Sequence, residues 1–120
     1  MTLLFSLTSC DPVFDLKLEN QTNKKIEVTY YPKLDTLELE GHKQETKEEG
    51  GREMYKVILN PNQTMSIGRV YNHNTPNLAD VYPDYLEVKF GNDIITLNGK
   101  NAIYTTLQKV EKLDWRIVIK

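Results

Sequence analysis

The chain has 120 residues, of which 39% are hydrophobic and 27% are charged, and its formal net charge is −2. This length is typical of one globular domain and leaves too little chain for two separate cores. The near-neutral charge and the isoelectric point of about 5.7 argue against nucleic-acid binding, because such proteins concentrate Lys and Arg to neutralise phosphates.

The N-terminal stretch is a short apolar run that ends at the only cysteine, Cys10. The order Leu7-Thr8-Ser9-Cys10 resembles the lipobox of bacterial lipoproteins, in which small residues precede a cysteine whose sulfur becomes the lipid attachment point. We therefore predict a signal peptide over residues 1–9, a lipidated Cys10 and a tether over residues 10–12. Residues 13–120 are predicted to form a single domain.

This export signal departs from the usual pattern at its start. A signal peptide opens with positive charges, whereas the first basic residue here is Lys17. A truncated start would explain the difference. The alternative is an ordinary edge strand over residues 3–7, with Cys10 as a small buried hydrophobe. No stretch approaches the roughly 20 apolar residues of a transmembrane helix, so membrane attachment would depend on acyl chains alone.

Alternating apolar and polar residues predict most of the domain's strands. A period of two is typical of a half-buried strand, and clusters of Asn, Gly, Asp and Pro separate the segments as turns. The predicted strands cover residues 14–19, 26–31, 54–59, 65–70, 86–90, 94–97 and 115–119, with a further short strand within 34–39.

Two segments break this alternation. Residues 41–51 contain no apolar side chain, which predicts a solvated loop. In residues 101–112 the spacing of Ile103, Leu107 and Val110 predicts one short helix. Together the pattern predicts an all-β fold, an antiparallel β-sandwich of the immunoglobulin-like type with about seven or eight strands.

A long connection over residues 71–84 carries the best candidates for ligand binding. Aromatic faces combined with amides and carboxylates are a composition suited to holding a polar ligand such as a sugar. The alternative is that the tyrosines anchor the connection while Asn and Asp form turns. The candidate ligand-binding residues are Tyr71, His73, Tyr82, Asp84 and Tyr85.

Catalytic and metal-binding motifs are missing from the sequence. It contains no Gly-x-Ser-x-Gly elbow, and its two histidines, His42 and His73, are too far apart for a His-x-x-x-His zinc pair. Gly50-Gly51 is not followed by the Lys-Ser or Lys-Thr of a phosphate-binding loop. We therefore predict no enzymatic activity, no metal and no cofactor.

Several segments in combination resemble the small secreted lipoproteins of Bacteroidetes. They are the lipobox, the turn at residues 18–22 that leads into Ile26-Glu27-Val28-Thr29-Tyr30-Tyr31-Pro32, the strand Leu86-Glu87-Val88-Lys89-Phe90 and the closing Trp115-Arg116-Ile117-Val118-Ile119. The resemblance implies a sandwich fold, a place in the bacterial cell envelope and no assigned activity. Asp35-Thr36-Leu37 also matches the O-glycosylation pattern of those bacteria, so the resemblance makes Thr36 a candidate acceptor. The alternative is that Asp35 starts a turn and Thr36 belongs to a strand.

Two functional hypotheses follow. The first is a lipid-anchored module of the cell envelope that interacts with other envelope components or has a structural role, without chemistry of its own. The second is a carbohydrate-binding accessory lipoprotein that uses the connection over residues 71–85. In both, the expected partners are the membrane, through acyl chains on Cys10, and envelope proteins or glycans.

Overall fold

A computed structural model describes residues 12–34 and 41–120. These residues form nine strands, an α-helix, α1 (Lys100–Thr106), and a 3₁₀ helix (Leu78–Asp80). The strands are β1 (Val13–Asn20), β2 (Ile26–Tyr31), β3 (Glu45–Glu49), β4 (Arg52–Leu59), β5 (Thr64–Tyr71), β6 (Tyr85–Phe90), β7 (Asp93–Asn98), β8 (Gln108–Glu111) and β9 (Asp114–Ile119).

The strands form two sheets that pack together. One sheet has the order β5-β1-β9-β8, and the other has the order β3-β4-β2-β6-β7. Every pair is antiparallel except β1 with β9. The predicted β-sandwich is confirmed, with nine strands in the described residues rather than seven or eight. Immunoglobulin-like sandwiches share this architecture without always sharing one strand order, and here β1 and β2 lie in different sheets.

The core lies between the sheets and is built from the inward positions of the alternating strands. Leu16 and Leu18 of β1 and Val28 and Tyr30 of β2 are all fully buried in it. Burying an aliphatic side chain of this kind stabilises the fold by about 1.5–3 kcal/mol. The Tyr30 hydroxyl donates a hydrogen bond to Gln44 Oε1, and burial raises the pKa of Tyr30.

Strand β3 corrects the prediction of a solvated loop over residues 41–51. Its side chains are mostly exposed, and the strand pairs with β4 in an antiparallel hairpin. Lys56 Nζ of β4 lies 3.6 Å from Glu45 of β3, and Lys47 Nζ of β3 lies 3.8 Å from Glu27 of β2. Cross-strand pairs of opposite charge favour a sheet edge without apolar burial, which is why hydrophobic periodicity misses this strand.

The helix is also shorter than predicted. The prediction covered residues 101–112, whereas α1 ends at Thr106, and Leu107 has the extended backbone φ −62° and ψ 137°. Residues 108–111 form β8, which pairs with β9. The helical spacing was misleading because Val110, one of its apolar positions, is 56% exposed on β8. Of the helix residues, only Ile103 is fully buried.

The topology places several connections at one end of the sandwich. A short turn over residues 21–25 joins β1 to β2, so the start of β1 and the end of β2 lie at the same end. Tyr31 pairs with Tyr85, so β6 begins at that end as well. No helix of the described residues is long and apolar enough to cross a membrane.

Gly68 allows the 3₁₀ helix to lie directly against β5. Gly68 forms an isolated bridge with Val81, and a Cβ atom on Gly68 would lie 2.2 Å from the Asp80 carbonyl oxygen. Only glycine permits so close an approach of two backbones. This contact fixes one side of the connection between β5 and β6.

Candidate functional site

A cavity lies on the outer face of the five-stranded sheet, at the end where β2 stops and β6 starts. Its volume is about 330 Å³. We call it the tyrosine cavity, and it is lined by Tyr31, Glu49, Gly50, Arg52, Met54, Tyr85 and Asn98.

Two parallel tyrosine rings form the centre of this cavity. Tyr31 on β2 and Tyr85 on β6 are direct register partners, and their side chains therefore share one face of the sheet. The ring centroids lie 5.6 Å apart and the ring planes differ by 9°. This separation lies within the range of favourable offset stacking. Both rings remain half-buried and accessible from solvent.

A cation extends the stack on its other side. The Arg52 guanidinium carbon lies 4.2 Å from the centroid of the Tyr31 ring. Strands β4 and β6 flank β2 on opposite sides, so Arg52 and Tyr85 approach Tyr31 from opposite sides. Such an arginine holds the tyrosine in place and leaves its own N–H groups available as donors.

Polar groups complete the wall of the cavity. Glu49 pairs with Arg52 in the β3–β4 hairpin, and Asn98 pairs with Tyr85. The Tyr85 hydroxyl donates a weak hydrogen bond of 3.3 Å to Glu87. Burial first, and the neighbouring Glu87 charge second, raise the pKa of Tyr85, so this hydroxyl stays protonated at neutral pH. The cavity thus combines two stacked aromatic rings with an acidic, a basic and an amide group.

The residues predicted from the 71–85 connection fall into three separate places. Only Tyr85 lines the tyrosine cavity. Asp84 does not line the cavity, and its exposed carboxylate lies 3.5 Å from Lys100 Nζ. The same ammonium donates to the carbonyl oxygens of Val81 and Tyr82 at 2.7 and 2.8 Å, and so attaches the end of the connection to α1.

Tyr71 and Tyr82 belong to a polar group beside the four-stranded sheet. Arg69 Nε donates to Asp15 Oδ1 at 2.8 Å, and hydrogen bonds to Asp15 and then to Tyr71 raise the pKa of Arg69. Burial first, and the neighbouring Tyr71 second, raise the pKa of Tyr82. Tyr82 packs against the core while Tyr71 is half exposed. These contacts fit the anchoring interpretation of both tyrosines.

His73 lies apart from both groups. Its Nε2 is 3.2 Å from Asn77 Nδ2 and 3.7 Å from Asp80 Oδ2. Asp80 also accepts the Asn77 backbone N–H at 2.7 Å, so these side chains close the turn around the 3₁₀ helix. Within residues 12–34 and 41–120, no three acidic, His or Cys side chains are grouped closely enough to hold a metal ion.

Two predicted modification sites, Cys10 and Thr36, lie outside the described residues. Sequence reasoning also missed the six other residues that line the tyrosine cavity, namely Tyr31, Glu49, Gly50, Arg52, Met54 and Asn98. For Tyr31 a signal was available, because the alternation of β2 puts it on the outward side, next to the inward Tyr30. No such signal existed for Arg52 and Glu49, because only the β3–β4 hairpin brings them to the cavity.

Comparison of the chain with protein-family profiles, with curated proteins and with solved structures found no match. The functional argument therefore depends on the geometry of the sandwich and of its cavities.

Proposed function

We propose that the protein is a lipid-anchored, non-catalytic module of the bacterial cell envelope that binds carbohydrate in the tyrosine cavity. The single observation that carries the carbohydrate part is the parallel pair of Tyr31 and Tyr85 with Arg52 on the far side of Tyr31. The apolar C–H face of a sugar ring would pack on the side of the Tyr85 ring that is turned away from Tyr31, because Arg52 and Tyr85 cover both faces of Tyr31. The sugar hydroxyls need donors and acceptors at the rim.

The rim of the cavity supplies those donors and acceptors in balanced numbers. Arg52 donates, Glu49 accepts, and the Asn98 amide does both. One acidic and one basic side chain leave the lining close to neutral, which suits a neutral or weakly charged sugar better than a strongly anionic one. The open position on a sheet face also suits a saccharide chain that runs across the strands.

Lipid anchoring is supported by the lipobox sequence Leu7-Thr8-Ser9-Cys10. Cys10 and Val13 are three positions apart in the chain, a span of at most about 10 Å. The tyrosine cavity lies at the end of the sandwich where β1 starts. An anchored protein would therefore hold its ligand close to the membrane. The bound sugar could then belong either to a membrane glycolipid or to a free polysaccharide.

The binding test uses the chain from residue 11 onward on an array of bacterial and plant oligosaccharides. The best-bound oligosaccharide is then titrated calorimetrically against wild type, Tyr31→Ala and Tyr85→Ala. We expect each substitution to weaken binding at least tenfold. Tyr71→Ala is the matched control, since it also removes a surface tyrosine, and we expect it to retain binding.

Two results would overturn the carbohydrate proposal. One is the absence of any retained oligosaccharide with folded wild-type protein. The other is unchanged affinity in folded Tyr31→Ala and Tyr85→Ala proteins. If Tyr71→Ala lost affinity instead, the site would lie on the 71–85 connection. The two sources are distinguished by comparing the affinity for vesicles that carry a glycolipid with the same sugar and the affinity for the free oligosaccharide.

The anchor is tested separately by the intact mass of protein from the native membrane fraction. Loss of residues 1–9 together with added acyl mass is the expected result, and additional sugar mass would point to Thr36. A Cys10→Ser variant should lose the acyl mass and leave the membrane fraction. Full-length, unmodified protein in the soluble fraction would contradict the anchor without affecting the carbohydrate site.

A second candidate function, contact with an envelope protein, is favoured by the edge strand β7. It pairs only with β6 in the described sheet, and it exposes Ile94 by 58% and Ile95 by 37%. Exposed apolar edge strands are common sites of strand addition. A photo-crosslinking residue at position 94 should yield a discrete adduct in cells, while the same residue at exposed Val110 on edge strand β8 should not.

A further inference from the structure

The two sheets have four edge strands among the described residues, namely β5 and β8 in one sheet and β3 and β7 in the other. Three of these edges are protected against pairing with another chain. In β3 four of the five residues are charged, β8 has only four residues and a register shift against β9, and Val81 bridges the edge of β5 at Gly68. Charges, short strands, bulges and covering segments are the devices by which natural proteins block edge-to-edge association.

Strand β7 has none of these features in the part of the chain that the structure describes. Its six residues pair with β6 in a regular register from Asp93 to Asn98. Asp93 at its start is its only charged residue, and it contains no proline. Ile94 and Ile95 are exposed on it. A regular, nearly uncharged edge with exposed apolar side chains is a template for pairing with another strand.

The hairpin that contains β7 determines which of its backbone groups are free. A two-residue turn joins β6 to β7, and Phe90 and Asp93 pair directly on either side of it. A turn of this kind closes on a hydrogen-bonded pair, and in an antiparallel ladder every second pair exchanges hydrogen bonds. Counted from Asp93, the N–H and C=O groups of Ile94, Thr96 and Asn98 therefore point away from β6, toward the open edge.

We propose that β7 pairs antiparallel with β7 of a second copy of the chain, with Thr96 opposite Thr96 of the second copy across a two-fold axis. This inference rests on the second candidate function, contact through β7, and names the partner. In this register Ile94 lies opposite Asn98 of the second copy, and Asn98 lies opposite Ile94. The three residues with free backbone groups on each strand thus meet those of the other, and the two five-stranded sheets join into one.

The composition of β7 suits a second copy as its partner. None of residues 94–98 is charged, so the two strands bring no like charges together. On the inner face, exposed Ile95 lies opposite Leu97 of the second copy, and the symmetry repeats this apolar pair. The lipid anchor proposed at Cys10 would also confine the copies to one membrane surface and raise their effective concentration.

This pairing has a consequence for the tyrosine cavity. Both cavities would lie on the same outer face of the joined sheet, because the two-fold axis is perpendicular to it. Asn98, which lines the cavity, is two positions from the axis. With 3.4 Å per residue along a strand and 4.8 Å between strands, the two Asn98 Cα atoms would lie about 14 Å apart. The dimer would therefore present two neighbouring cavities to one saccharide chain.

The test is sedimentation velocity of the chain from residue 11 onward, at concentrations from about 5 µM to about 1 mM. We expect a reversible monomer–dimer equilibrium with Kd on the order of 100 µM, because one strand pair is a small interface. Thr96→Lys and Thr96→Glu each place like charges opposite each other at the axis, and each should weaken dimerisation at least tenfold. An equimolar mixture of the two variants should restore the dimer, because Lys then lies opposite Glu.

The matched control is Val110→Lys on β8, which adds the same charge to another exposed edge position and should dimerise like wild type. Thr96 is exposed, so its substitution should leave the monomer folded, as circular dichroism checks. A wild type that stays monomeric up to about 1 mM would overturn the proposal. Dimerisation that is insensitive to Thr96→Lys, or that is lost only in Val110→Lys, would overturn it as well.

Photo-crosslinking at position 94 in cells separates this inference from the contact function on which it rests. An adduct with the mass of two chains is the expected result. An adduct with a different protein, together with a monomeric wild type, would overturn the second copy as partner and leave contact through β7 intact. Absence of any adduct would overturn both, and none of these results affects the test of carbohydrate binding.

Discussion

The ring of Tyr31 lies parallel to the ring of Tyr85, with centroids 5.6 Å apart on neighbouring strands β2 and β6. Arg52 on β4 packs against the other side of Tyr31. This row of three side chains is the element on which the proposed carbohydrate site depends, and its stacking is itself measurable.

A double-mutant cycle should detect the energetic coupling of the two rings. We expect Tyr31→Ala and Tyr85→Ala to show a coupling free energy of about 0.5–1.5 kcal/mol, because aromatic pairs contribute this much beyond simple burial. Urea unfolding of wild type, both single variants and the double variant provides the measurement. Additive effects within error would mean that the rings do not support each other.

Substitution of Asn20 should strongly destabilise the turn that joins the two sheets. Its buried Nδ2 donates to the carbonyls of Lys24 and Leu59 at 2.8 and 3.0 Å, and its Oδ1 accepts from Thr22. Asn20→Ala leaves these groups unpaired, so we expect a loss of about 2–3 kcal/mol in the free energy of unfolding. The exposed neighbour Gln21 is the control, and Gln21→Ala should stay within about 0.5 kcal/mol of wild type.

The hydrogen bonds of Asn20 also bear on whether its side-chain amide serves as an N-glycosylation site. The sequence Asn20-Gln21-Thr22 matches the N-glycosylation pattern. The buried amide of Asn20 is already used twice as a donor, in agreement with a structural turn. Thermal unfolding curves of Asn20→Ala that overlay those of wild type would contradict this role.

Placing a methyl group on Gly68 should force β5 away from the 3₁₀ helix. The added Cβ would lie 2.2 Å from the Asp80 carbonyl oxygen and 3.0 Å from Leu16, so Gly68→Ala should cost about 1–3 kcal/mol of stability. Gly50→Ala has open space around it and only a positive φ of 61°, and we expect a cost of about 1 kcal/mol. Equal unfolding midpoints for Gly68→Ala and wild type would show that the close approach is not required.

Stability should fall at alkaline pH because of Tyr30. Its pKa is raised by burial in the folded state, while the unfolded chain has the ordinary value of about 10. Below pH 10 both states hold the proton and stability is unaffected. Above it only the unfolded chain loses the proton, so the free energy of unfolding falls by up to about 1.4 kcal/mol per pH unit.

The Tyr30→Phe variant isolates this contribution. It loses the hydrogen bond to Gln44, a pH-independent cost, but should show a shallower decline between pH 10 and 11.5 than wild type. Denaturant unfolding at a series of pH values measures both slopes. Identical slopes would assign the alkaline loss to other tyrosines.

The sequence was informative where one strand face is apolar and the other polar. Leu16 and Leu18 in β1 and Leu86 and Val88 in β6 alternate with charged residues, and all four are buried as predicted. Strand β3 could not be found in this way, because its support comes from charges on other strands, such as Glu27. Strand β8 was missed because its apolar residues have helical spacing. Their conformation is decided by pairing with β9, which the spacing does not reveal.

The candidate site was partly predictable for a related reason. Tyr85 stood out in the sequence because it follows a segment rich in Asn, Asp and Tyr. Its partner Tyr31 is brought close only by the register of β2 and β6, and Arg52 only by the β3–β4 hairpin. Tyr71 lay closer to Tyr85 in sequence, but it sits on β5 in the opposite sheet.

The most direct test of the account is an NMR titration of the ¹⁵N-labelled domain with the oligosaccharide it binds best. We predict that the Asn98 side-chain amide and the Arg52 guanidinium resonances shift with the same saturation curve, while the Asn77 amide beside His73 does not move. Shifts confined to Asn77 and the backbone of residues 71–82, with Asn98 and Arg52 unchanged, would contradict the placement of the site in the tyrosine cavity.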